Sequence, residues 1–72
     1  PEVRLERVHL LVLAGDYDTA QVILGELQEG GVKGERAMLY DYYVSKGTGQ
    51  TIRSQILGNE FGLIYPSLKH LL

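Results

Sequence analysis

The chain contains no cysteine, no tryptophan, one methionine and two prolines in 72 residues. Without cysteine there is no disulfide framework and no thiolate site for zinc or an iron–sulfur cluster. The two histidines, His9 and His70, stand far apart and do not make a metal site by themselves. No cofactor is expected. The longest unbroken apolar run, Leu10 to Ala14, falls far short of the ~20 residues that span a bilayer. With no transmembrane segment and no signal peptide, the expected address is cytoplasmic. A chain this small usually needs a covalent or metal staple. Having neither, it is expected to share apolar surface with a partner.

What is present is the composition of a folded chain: 44% hydrophobic, 22% charged, with no low-complexity run. Its length allows one domain, residues 1–72. The net charge of −2 is unevenly spread. Residues 1–29 carry Arg4 and Arg7 against six acidic side chains, a balance of −4, and the remainder carries five cations against Glu35, Asp41 and Glu60, a balance of +2. A pI near 5.5 with no Lys/Arg cluster speaks against a strong phosphate-binding surface.

Hydrophobic spacing predicts an all-α fold. Val3, Leu5, Val8 and Leu10 to Ala14 follow a helical pattern over 3–14 that ends at Gly15. The end of this helix is apolar all round, so at least two of its faces need cover. Asp16 or Asp18 then caps a second helix through Thr19, Ala20, Val22, Ile23, Leu24 and Leu27, which stops at Gly30 and Gly31. So short a connection makes the two helices antiparallel neighbours. A third helix is read over Glu35 to Lys46, ahead of Gly47, with a strand as the competing reading because of its tyrosines and β-branched residues. A fourth runs from Ile52 to about Glu60, Gly62 interrupts the stretch Phe61 to Tyr65, and Pro66 suits the first turn of a short last helix to Leu72.

An offset of 32 pairs Gly15 with Gly47, Val12 with Val44, Thr19 with Thr51 and Leu24 with Ile56. That places two helical hairpins in phase, with a period in the low thirties typical of tetratricopeptide-like repeats. In such arrays a hairpin cannot bury its own apolar face, so neighbours or a cap must cover it. The segment Gly15-Asp16-Tyr17-Asp18-Thr19-Ala20 resembles the turn of such a repeat, with a helix-ending glycine, a tyrosine packing across the hairpin and a small alanine where two helices approach.

Residues 3–57, with Gly15, Tyr17 and Ala20 in the first turn, the aromatic stretch Tyr40-Asp41-Tyr42-Tyr43 and the Gly47-Thr48-Gly49 turn before Arg53, are similar to the tetratricopeptide-like chaperones of type III secretion needle subunits. Those relatives are longer, so the resemblance implies a shortened member or a fragment. It further implies a bacterial cytoplasmic chaperone that, with a small helical co-chaperone, sequesters the amphipathic carboxy-terminal helix of the needle subunit. Helix-in-groove recognition of this kind uses an apolar concave face and no catalytic group. On the repeat reading the first helix of each hairpin lines that face, nominating Leu5, His9, Val12 and Leu13, then Ala37, Asp41 and Val44. No carboxylate at i+3 or i+4 supports His9 as an acid–base residue. Tyr40, Tyr42 and Tyr43 cannot share one helix face, so at least one is expected exposed or at an interface.

The alternative is a helix-turn-helix DNA-binding regulator over residues 51–72, with Tyr65 to Leu72 as the recognition helix presenting Ser67, Lys69 and His70. An enzyme is not expected: there is no Ser/His/Asp arrangement and no phosphate-binding loop, and Gly47-Thr48-Gly49 alone is too little for one.

Overall fold

A computed structural model describes residues 1–72. Four α-helices, α1 (Glu2–Leu13), α2 (Tyr17–Glu29), α3 (Glu35–Gly47) and α4 (Thr51–Ile64), precede a terminal 3₁₀ turn, Pro66–Leu71. There are no strands, so the competing strand reading of residues 35–46 is not realised.

Helix α1 packs against α2, and α3 against α4. The backbone of α3 also packs against both α1 and α2, whereas α4 approaches only α3 and the terminal turn. A single cluster of ten buried side chains runs through this arrangement, with Val8, Ala20 and Phe61 wholly inaccessible to solvent. Phe61, the only phenylalanine, gives α4 its anchor in that core.

One of the two expected caps is used, and the structure departs from expectation at two later places. Asp16, not Asp18, caps α2: its Oδ1 accepts from the Thr19 amide at 3.3 Å. Helix α4 does not stop near Glu60 but runs through Gly62 to Ile64. The Lys69 side chain packs on Gly62, its Cε 3.3 Å from where a Cβ would stand, and Phe61 beside it is fully buried. The last segment begins at Pro66 as expected, but it is a 3₁₀ turn of six residues and not an α-helix.

The two turns that correspond in backbone geometry lie 34 residues apart, where the sequence offset was 32. Gly15 and Gly49, 34 positions apart, both take left-handed backbone, φ +79° and +77°, which a residue with a Cβ adopts only with strain. Around each, the same hydrogen bonds close the helix: Asp16 N–H to Leu11 C=O and Gln50 N–H to Ser45 C=O, both 2.9 Å. Asp16 and Gln50 then begin α2 and α4 with nearly the same dihedral angles, −87°, 69° and −83°, 73°. In this register Ala20 matches Ser54, and both are buried.

Candidate protein-binding surface

The seam between α1 and α3 is built from charged and aromatic side chains. Arg36 reaches from α3 to Glu2 (Nη1–Oε2, 2.7 Å) and Glu6 (Nη2–Oε2, 3.2 Å) on successive turns of α1. Its Nε–H also donates to the Tyr40 hydroxyl at 3.3 Å. That hydrogen bond, with the nearby carboxylates, holds the guanidinium above its ordinary pKa. Next along the seam His9 stacks on Tyr40, ring centroids 5.2 Å apart and 12° from parallel. His9 does have a carboxylate neighbour, Glu6 at 3.7 Å, which stands at i−3 on the side that the forward spacing did not search.

A second cluster joins three helices around Asp41. Its carboxylate accepts from Arg53 of α4 (Nε 3.2 Å, Nη2 2.7 Å), from Gln28 Nε2 of α2 at 3.0 Å and from Ser45 Oγ, one turn on, at 3.3 Å. Asp41 is buried while Arg53 is half exposed, and the bidentate contact raises the Arg53 pKa. Nothing in the sequence pattern joined Asp41 to Gln28 or Arg53, because the three lie on different helices.

The seven side chains nominated for partner binding divide sharply. Leu5, Ala37 and Val44 belong to the buried core, and Asp41 is buried within its own network. His9 and Val12 are half-buried, and Leu13 stands 71% exposed at the end of α1. The 34-residue register explains the division in α3. It matches Leu5, His9, Val12 and Leu13 with Leu39, Tyr43, Lys46 and Gly47, whereas the 32-residue offset pointed at the side of α3 that faces the core. The turn residues fare differently: Gly15 and Gly49 take the left-handed backbone and Ala20 is fully buried. Tyr17 lies against Gly47, so it packs between the hairpins and not only across its own.

The three tyrosines of α3 do not all face one way, and each meets a partner within the chain. Tyr40 is buried under His9 and Arg36. Tyr42 rests on Gly58 of α4, 3.1 Å from where a Cβ would be, with the Lys46 ammonium 5.4 Å from its ring centroid. The Tyr43 hydroxyl donates to the Leu71 carbonyl at 2.7 Å, which holds the terminal turn against α3. None of them is left fully exposed.

The uncovered apolar surface lies elsewhere. On α1, Val3, Leu10 and Leu13 are exposed, as the all-apolar end of that helix led one to expect. On α4, Ile52, Ile56 and Leu63 form a second exposed line at helical spacing. Beside that line runs an open groove of ≈ 770 Å³ between α4, α3 and the terminal turn, its sides including Lys46 and Lys69. The α-helix expected over Tyr65 to Leu72 for reading DNA is not formed: Ser67, Lys69 and His70 sit on the 3₁₀ turn Pro66–Leu71. No helix is long and apolar enough to cross a membrane. Compared with known proteins, the chain matches no family model, no curated protein and no solved structure.

Proposed function

We propose that this chain is a non-enzymatic protein-binding module of tetratricopeptide-like type. Its most specific form is a bacterial cytoplasmic chaperone that, with a small helical co-chaperone, shields the amphipathic helix of a type III secretion needle subunit. The observation that carries a binding role is the end of α1, where Leu10 and Leu13 are 57% and 71% exposed with no side chain of this chain to cover them. Paired large apolar residues left open on a small helical chain fit a helix laid alongside them. The repeat reading draws support from the 34-residue register, which is the length of a tetratricopeptide unit. It also draws support from the packing of α3 against both helices of the first hairpin. The needle-subunit assignment rests on the resemblance of residues 3–57.

On this reading the partner helix lies along α1 and the flank of α3, with Leu13 and Val12 as apolar contacts, His9 and Tyr43 beside them, and Leu5, Ala37, Asp41 and Val44 supporting the face from beneath. The test is co-purification with a needle subunit and its co-chaperone from a host with a type III apparatus. The unmodified chain retains the needle subunit. Leu13→Glu loses it while helix content and melting temperature stay unchanged, because Leu13 contributes little to the core. Retention by Leu13→Glu removes α1 from the binding face. Failure of the unmodified chain to hold the needle subunit removes the chaperone assignment.

A further inference from the structure

The 34-residue register assigns a use to two surfaces that the chain leaves open. In the junction between the hairpins, the α3 face carrying Ala37, Val44 and Gly47 meets the α2 face carrying Tyr17, Ala20 and Leu24. Shifted back by one period, the α3 face becomes Val3, Leu10 and Leu13 of α1, all exposed. Shifted forward, the α2 face becomes Thr51, Ser54 and Gly58 of α4, which line the open groove. The exposed face of α1 therefore stands in the same repeat position as a helix that docks, and the groove in the same position as the slot that receives it.

The side-chain sizes complement each other as well. Inside the chain, large slot residues (Tyr17, Leu24) meet a helix with small ones (Ala37, Gly47), and the Tyr17 ring needs the bare Gly47 backbone. In the open pair both are reversed: the slot is small (Thr51, Gly58) and the helix is larger (Val3, Leu10, Leu13). Reversed sizes at matching positions keep the total volume of a packed junction nearly constant. Charge does not oppose the contact: α1 carries Glu2 and Glu6 against Arg4 and Arg7, a balance of zero, and the groove has no acidic side chain.

We infer that a second copy of this chain docks its α1 in the groove along α4, head to tail, an inference that rests on the repeat reading proposed above and in which the second copy competes with the partner helix for the same face of α1. In the shared register the incoming Leu13 falls against Thr51. Its first turn takes the place held by Lys69–Leu72, so docking lifts the terminal turn from Tyr43 and carries Lys69 away from the incoming Arg7. A head-to-tail contact uses different surfaces on the two molecules and does not close at a dimer, so mass grows with concentration.

The experiment is sedimentation equilibrium of the unmodified chain up to about 1 mM, a range that captures weak association, alongside Leu10→Glu and Thr51→Arg. Both substitutions fall on exposed side chains, and unchanged circular dichroism and melting confirm the folded state of each. The unmodified chain passes beyond the dimer, and each variant alone associates about tenfold more weakly or less, as for loss of a central contact. Mixed together, the two variants form a one-to-one dimer, because each retains the surface the other has lost. An unmodified chain that stays monomeric overturns the inference and leaves the groove to a different protein. So does a Leu10→Glu defect without a Thr51→Arg defect, which indicates a symmetric α1–α1 contact.

Discussion

The ring of Tyr17 lies flat on the backbone of Gly47. A Cβ built at position 47 would stand 2.5 Å from three of its ring atoms. This contact joins the turn of the first hairpin to the end of α3, and it makes Gly47 a packing residue, since its φ is not in the left-handed region. Gly47→Ala gains helix propensity worth about 1 kcal/mol but forces the ring aside at about 1–3 kcal/mol, typical of overpacking. The net expectation is a destabilised protein. In a Tyr17→Ala background the ring is gone and the same substitution becomes stabilising. Urea denaturation of the four chains of this double-mutant cycle measures the change of sign.

Asp41 is the polar tie among α2, α3 and α4, and losing Arg53 leaves its buried carboxylate with only Gln28 and Ser45. Arg53→Ala is expected to cost about 1–3 kcal/mol, the range for an under-satisfied buried acceptor, and not more, because water reaches the half-exposed guanidinium side. Asp41→Ala on its own also costs stability, and the double variant costs less than the sum of the two. Additive losses in chemical denaturation would show that the pair is not coupled.

The terminal turn is held at alkaline risk. Burial, with Tyr42 and Tyr40 nearby, pushes the Tyr43 phenol above its ordinary pKa. A pKa raised on folding means that the folded state holds the proton more tightly. Its stabilising contribution is complete below the unfolded value of about 10 and is lost as pH rises through the folded value. Ionisation also removes the hydroxyl proton donated to Leu71. Amide exchange of residues 66–72 is therefore expected to speed up above pH 10, beyond the ordinary base-catalysed rise. Tyr43→Phe is expected to show faster exchange already at neutral pH and no such step.

Phe61 fills the core where α4 meets the rest of the molecule. Phe61→Ala should cost about 3–5 kcal/mol, a large part of the total stability of so small a domain. Ile52→Lys, on the opposite side of the same helix and 75% exposed, should stay within about 0.5 kcal/mol. Thermal melting separates the two. Near-equal losses would mean that α4 is packed by its other face.

The helices were legible from hydrophobic spacing and glycine stops, because a side chain's place on a helix follows from its position in the chain. The period was not. Gly15 and Gly47 each end an apolar run and look alike in sequence, but Gly15 is required by its dihedral angle and Gly47 by the ring of Tyr17, and only the fold tells a backbone requirement from a contact. An offset of 32 instead of 34 selects Ala37, Asp41 and Val44, on the interior side of α3. Spacing did place those three on one face, and they do share one; whether it pointed outward was decided by where α2 and α4 came to rest.

By itself, then, the sequence determined four helices, the breaks between them, the acidic first hairpin and an apolar helix end larger than one hairpin can cover. These depend on neighbours within a few positions. The tertiary structure decided which of two glycines shares the backbone of Gly15, which tyrosine meets which helix, that Asp41 is bound by Gln28 and Arg53, and that residues 66–71 wind as a 3₁₀ turn against Tyr43. The ties of Asp41 to Gln28 and Arg53, of Tyr43 to Leu71 and of Tyr17 to Gly47 are contacts between residues twelve or more apart, and their energy exists only once packing has brought the partners together.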